Sequence, residues 1–181
     1  MPEQRLWTLS NGLTMGRILL VPVFCLLALQ ESALSSAAAI AVFLIASITD
    51  AYDGKLARAR NEITDFGKLA DPIADKALTG AAFILLSAAG EFPWWATVAV
   101  LVREVGITVW RLSIRGRVVH AAGAGGKLKT TMQIVAICLA LWPKDALLGG
   151  LIHPLGILAL WLAAIVTIYT GIVYAQELRR S

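Results

Sequence analysis

The chain has 181 residues, of which 58% are hydrophobic and only 15% charged, and its mean hydropathy is +0.74. A soluble domain of this size carries about a quarter charged residues and has no interior able to bury so many apolar helices, which excludes an ordinary soluble enzyme. The net charge of +4 is modest; its placement matters more than its size, and no nucleic-acid partner is expected.

Apolar blocks of about 18 residues or more recur along the chain, the length that crosses a hydrocarbon core. They predict an all-α, polytopic membrane protein with about six transmembrane helices, near residues 13–29, 37–57, 67–89, 94–114, 130–142 and 151–174. Gly, Pro and charged residues punctuate the gaps, as at Glu91-Phe92-Pro93 and Pro143-Lys144-Asp145. The first apolar run lacks a small-x-small cleavage site, so it reads as a span and not as a cleavable signal. Cys25 and Cys138 lie inside apolar runs and read as small buried hydrophobes.

Arg5, Lys55, Arg58, Arg60, Lys68, Arg111, Arg115, Arg117, Lys127, Lys129, Arg179 and Arg180 all fall on one side of this arrangement, and the opposite loops hold only Lys144. The positive-inside rule then places both termini in the cytoplasm. Trp94, Trp95 and Trp142 stand at span ends, where interfacial anchoring is expected. No repeat or long linker divides the chain, so residues 1–181 read as one membrane domain in the cell membrane.

The chemistry concentrates in Asp50-Ala51-Tyr52-Asp53-Gly54-Lys55-Leu56-Ala57-Arg58 and in Gly67-Lys68-Leu69-Ala70-Asp71-Pro72-Ile73-Ala74-Asp75. Carboxylates at membrane depth are expensive and require a physical reason. Asp50 and Asp53 are three apart and Asp71 and Asp75 four apart, so each pair shares a helix face. A short connection makes the two helices antiparallel neighbours whose cytoplasmic ends bring the four carboxylates together. Such a cluster needs countercharge, and hard divalent cations such as Mg²⁺ or Mn²⁺ suit all-oxygen ligands. Two ions would neutralise it and clamp a pyrophosphate. Gly54 and Gly67 allow close approach of backbone and ligand. Glu62 and Asp65, in the connection, read as solvated charges.

The pattern Asp50-x-x-Asp53-Gly54-x-x-Ala57-Arg58, eight residues, then Gly67-x-x-x-Asp71-x-x-x-Asp75 resembles the signature of the CDP-alcohol phosphatidyltransferase family at every defined position. The resemblance implies a six-helix membrane fold, commonly dimeric, with a dinuclear metal site facing the cytoplasmic leaflet. It implies metal ligation by Asp50, Asp53, Asp71 and Asp75, with Asp75 also the general base. It further implies nucleotide contacts from Thr14, Asp50, Asp53, Gly54, Ala57, Arg58, Gly67 and Asp71.

Outside the signature, the segment from Asn11 to Arg17 resembles the family's first-span opening, while Arg103-Glu104 with Thr108 and Arg111, and Gly126-Lys127-Leu128-Lys129-Thr130 with Gln133, resemble the phosphatidylglycerophosphate synthase branch of that family. That branch implies CDP-diacylglycerol as donor and sn-glycerol 3-phosphate as acceptor. His120 and Gly123 depart from the branch, which has an apolar residue and a serine there, and Ser10 stands where proline is frequent. The residues support a phosphorylated acceptor independently. Arg103 lies inside the fourth span, where topology needs no charge, and Arg111 sits two turns nearer the cytoplasm. Lys127 and Lys129 open the fifth span beside Gly125-Gly126, and basic side chains at a helix start make a natural phosphate site. Glu104, adjacent to Arg103, is off its helix face, so the partner of Arg103 is expected elsewhere. Arg115 and Arg117 read as topology determinants, and His153 as structural.

The implied reaction is direct displacement, in which Asp75 takes the proton of the acceptor hydroxyl, the oxygen attacks the β-phosphorus, and CMP leaves. The same chemistry on inositol phosphate, serine or phosphatidylglycerol is the nearest alternative. A cation-coupled transporter would also use intramembrane carboxylates, but charges clustered at one side and the absence of an inverted repeat argue against it.

Overall fold

The computed structural model describes residues 9–30, 32–60, 65–113 and 124–180, with side chains described at 12–30, 32–50, 73–74, 76–110, 130–173 and 176. Among the described residues the structure is all helical: α1 (Leu9–Ala28), α2 (Ala33–Arg60), α3 (Asp65–Ala88), α4 (Trp94–Ser113), α5 (Ala124–Ala140) and α6 (Gly149–Arg180). The helices overlap the expected spans. α1, α2 and α5 begin four to six residues earlier, and α2 and α6 also run on at their C-terminal ends, because charged residues at a helix end do not stop the hydrogen-bond ladder.

Local chemistry sets the ends. Ser32 caps α2 by accepting from the Ser35 amide at 3.1 Å. Gly90, at φ +77°, ends α3, with the Glu91 amide reaching back to the Leu86 carbonyl at 2.9 Å. Leu148, just before α6, starts its ladder: the Leu148 carbonyl accepts from the Leu151 and Ile152 amides at 2.9 and 2.8 Å.

α2 carries a stretch long and apolar enough to cross a membrane, Ala33–Asp50, and α6 carries another, Gly149–Val173. Only 22% of the first and 28% of the second is buried, unlike the core helix of a soluble protein. The uninterrupted apolar stretches of α1, α3 and α5 are shorter, and Arg103 and Glu104 interrupt that of α4.

Polarity in these helices runs opposite to that of a soluble fold. On α6 the exposed large apolar residues are Leu151, Leu155, Leu158, Leu162, Ile165, Tyr169 and Ile172, alternating four and three apart along one stripe. On α4 they are Trp94, Trp95, Val98, Val102, Val105 and Val109. The buried set includes Thr14, Arg17, Thr97, Glu104, Gln133 and Thr167. Polar groups turned inward and apolar groups outward are what a lipid solvent selects.

Backbone proximity separates two compact units, Met1–Ala82 and Phe83–Ser181. In the first, α1 and α2 are antiparallel: Phe24 meets Phe43 with ring centroids 5.5 Å apart, and Arg17 meets Asp50. In the second, α5 and α6 are antiparallel, with Gln133 on Thr167 and Gly156 against Ala140. α4 runs parallel to α6, since Trp95 meets Trp161 with tilted rings 5.7 Å apart and Arg103 reaches Thr170.

The α5–α6 contact depends on Gly156. A β-carbon there would collide with the Ala140 amide nitrogen and the Leu139 carbonyl carbon, both backbone atoms unable to swing aside. Gly156→Ala is therefore expected to destabilise the fold by about 1–3 kcal/mol, the range of core overpacking, measured as a lowered Tm in detergent. An unchanged Tm would mean that the helices separate freely.

Candidate active site

In the first unit, α1 contributes Thr14, Arg17 and Phe24 to a buried stripe, and α2 contributes Ser35, Ala39, Phe43 and Ala46. The α2 stripe continues one turn on to Asp50. There the Arg17 Nη1 lies 2.5 Å from the Asp50 Oδ1, with the arginine side chain 2% exposed and the aspartate 38%. A buried cation thus faces a carboxylate that stays accessible on its other side. Thr14, fully buried one turn before Arg17, lies on the same stripe.

Asp53, Gly54, Ala57 and Arg58 follow on α2, and Gly67, Asp71 and Asp75 lie on α3. Both segments are helical, so the three- and four-residue spacings put Asp50 with Asp53, and Asp71 with Asp75, on shared faces. The side chains of Asp53, Arg58, Asp71 and Asp75 lie outside those described. Next to Asp75, Ala74 is fully buried and begins a stripe through Leu78 and Ala82, which fixes the face that α3 turns inward.

The second unit holds a buried polar network across three helices. The Arg103 Nη1 donates to the Glu104 Oε1 at 3.0 Å and its Nη2 to the Thr170 Oγ1 at 3.0 Å. The Gln133 Nε2 donates to the Thr167 Oγ1 at 3.2 Å. The expectation that the partner of Arg103 would not be Glu104 is corrected here. Adjacent residues do leave a helix in different directions, but the long arginine arm swings round to the neighbouring carboxylate. Arg111 lies further along α4, and Lys127 and Lys129 open α5; their side chains lie outside those described, and His120 lies outside the described residues.

At the opposite end of this unit, Glu91 accepts from Lys144 and pairs with the His153 Nε2 at 3.0 Å. His153 is thus structural, as its position suggested. Burial pushes the Glu91 carboxyl up, but the hydrogen bonds and charges of Lys144 and His153 outweigh it and hold it below the ordinary 4.5. A depressed folded pKa gives stability that is complete above the unfolded value and lost as pH falls through the folded one. Wild-type Tm should therefore drop on acidification below 4.5. Glu91→Gln should be about 1 kcal/mol less stable at neutral pH and lack that acid-dependent loss. Parallel Tm–pH curves for the two proteins would refute the assignment.

The sequence profile of the CDP-alcohol phosphatidyltransferases matches residues 7–169. The chain belongs to the CDP-alcohol phosphatidyltransferase family. Among its relatives is a probable phosphatidylglycerophosphate synthase of Mycobacterium tuberculosis, 44% identical over 97% of this chain and 84% of that protein. A CDP-diacylglycerol–glycerol-3-phosphate 3-phosphatidyltransferase of Bacillus subtilis is 35% identical over 95% of each chain. The enzyme of that name from Escherichia coli is 33% identical over 92% of each.

As a CDP-alcohol phosphatidyltransferase, the chain is a transferase of phospholipid biosynthesis, from a membrane-bound and generally divalent-metal-dependent family. The donor set fits such an ion: carboxylate oxygens at helical spacing on α2 and α3, with Asp50 accessible beyond its Arg17 contact. Sequence reasoning missed Arg17 as the partner of Asp50. The arginine was visible in the first-span segment, but only the antiparallel α1–α2 register shows what it faces.

Proposed function

We propose that this phosphatidyltransferase moves the phosphatidyl group of CDP-diacylglycerol onto sn-glycerol 3-phosphate, yielding phosphatidylglycerophosphate and CMP. The observation that carries this reading is the complete signature from Asp50 to Asp75 within a chain whose near-full-length relatives bear that activity in their names. Asp50, Asp53, Asp71 and Asp75 would hold two divalent cations, Mg²⁺ or Mn²⁺, which when bound offset the charge of the donor's pyrophosphate. Thr14, Gly54, Ala57, Arg58 and Gly67 shape the nucleotide end of the pocket together with Asp50, Asp53 and Asp71. Arg58 supports the nucleotide, and the two glycines leave room for it.

Asp75 accepts the proton of the C1 hydroxyl of glycerol 3-phosphate. The freed oxygen attacks the β-phosphorus, the bond to the bridging oxygen breaks, and CMP departs. Arg103, Arg111, Lys127 and Lys129 hold the acceptor's phosphate, Arg103 and Arg111 from α4 and the lysines from the start of α5. In this reading residues 1–181 form one multi-pass domain with six spans, both termini and the active site face the cytoplasm, and the enzyme works as a homodimer. The acyl chains stay in the lipid while the acceptor arrives from water.

The test is CMP release by detergent-purified protein given CDP-diacylglycerol, Mg²⁺ or Mn²⁺, and a panel of acceptors. Release with glycerol 3-phosphate is expected. Release only with serine, inositol phosphate or phosphatidylglycerol would overturn the acceptor while keeping the chemistry. A transporter would release no CMP with any acceptor.

A further inference from the structure

Arg103 is held from three directions by groups that sequence spacing did not connect to it. Its Nη1 donates to the Glu104 Oε1 and its Nη2 to the Thr170 Oγ1, each at 3.0 Å, and its side chain is 19% exposed. The Thr170 hydroxyl spends its proton on backbone carbonyls of α6, lying 2.8 Å from Val166 O and 3.0 Å from Thr167 O. Its lone pair is thereby turned toward the guanidinium. The third hold is steric. A β-carbon on Gly171 would lie 2.7 Å from the Arg103 Cγ and 3.2 Å from its Nε. The crowded atom is the root of the arginine arm and not its flexible tip, so the arm lies where it does because residue 171 is glycine.

A guanidinium carries five N–H groups in one plane. The two hydrogen bonds use one on each terminal nitrogen, which leaves three: the Nε–H, buried without a hydrogen-bond partner among the described residues, and one on each terminal nitrogen. Glu104 offsets much of the positive charge at 3.0 Å, so what the site offers an anion is the direction of those remaining donors more than bare attraction. Two fixed N–H groups match two phosphate oxygens.

We propose that Thr170 and Gly171 are positioning residues for recognition of the acceptor's phosphate, acting through Arg103. The proposal rests on the reading of Arg103 as a phosphate ligand. It adds α6, which lies outside the signature and outside the basic segments, to the determinants of acceptor use.

The experiment is steady-state kinetics of CMP release by the full-length protein in detergent, varying glycerol 3-phosphate and CDP-diacylglycerol separately. Gly171→Ala and Thr170→Val are each expected to raise the acceptor KM about tenfold, the effect of one charged hydrogen bond. The kcat and the donor KM should stay within about twofold. Thr170→Ser, which keeps the hydroxyl, should restore the wild-type KM. In an Arg103→Ala background neither substitution should add a further effect. If Arg103→Ala raises the acceptor KM but Gly171→Ala and Thr170→Val do not, the positioning role is refuted. If Arg103→Ala itself leaves the acceptor KM unchanged, the phosphate-ligand reading falls first. A lowered Tm and kcat with no change in acceptor KM would mark the contact as a structural tie between α4 and α6 and overturn the proposal.

Discussion

Asp75→Asn is expected to lower metal-dependent CMP release by at least about 10³-fold while leaving the Tm in detergent unchanged. Asparagine has nearly the shape of aspartate, so helix α3 and its buried stripe of Ala74, Leu78 and Ala82 should pack as before. What it lacks is a group able to take a proton at neutral pH and a full negative charge for a divalent cation. In the proposed mechanism, loss of the proton acceptor alone accounts for about 10²–10⁴-fold, and the weakened metal ligand adds to it. Turnover near the wild-type level would remove Asp75 as the base. A variant that binds CDP-diacylglycerol normally yet fails to turn over would separate the chemical role from the binding role.

Arg17→Ala should be the second most damaging change, although Arg17 lies outside the signature. The side chain is 2% exposed and contacts Asp50 at 2.5 Å. Removing it leaves a void in the α1–α2 interface and takes the countercharge from a carboxylate of the proposed metal site. Because Asp50 is 38% exposed, water offsets part of the loss, and the expected destabilisation is about 1–3 kcal/mol, below that for a fully buried pair. The functional effect follows from orientation. Partners that fix a metal-binding carboxylate are worth about 10–100-fold in affinity or activity. The metal concentration giving half-maximal CMP release should rise by about that factor. Arg17→Lys, which keeps the charge but not the fork, should fall between. Unchanged metal dependence together with a lowered Tm would confine Arg17 to packing.

The helices were legible in the sequence because the apolar runs recur along it and their interruptions are chemically plain, as at Glu91-Phe92-Pro93. The signature was legible because its fixed residues sit at helical intervals on two segments. The contacts between helices were not. Nothing in the intervals of α1 says that Arg17 faces Asp50, since that depends on where the α1–α2 turn sets the antiparallel register. The grouping of Glu91, Lys144 and His153 needs three separate segments in place. Arg103 and Glu104 misled for another reason. Helical geometry fixes where a side chain starts, but four rotatable bonds let an arginine end somewhere else. Gly171 carried no signal at all, because a glycine in an apolar helix looks ordinary until its neighbour is known.

The partnership with Thr170 also changes how far from water Arg103 lies. Counted along α4, the arginine sits in the middle of a helix, which suggests mid-membrane. Counted along α6, it is level with Thr170, nineteen residues past Leu151. At 1.5 Å per residue that is about 28 Å along an outward apolar stripe which, from Leu151 to Ile172, is about 31 Å long. The stripe matches the thickness of a hydrocarbon core, so the guanidinium stands about half a helical turn from its edge. In the proposed reaction a charged acceptor then need not cross any part of the lipid interior to meet it, and the cation itself is spared most of the cost of mid-membrane burial. Depth here is set by the neighbouring helix and not by position along its own.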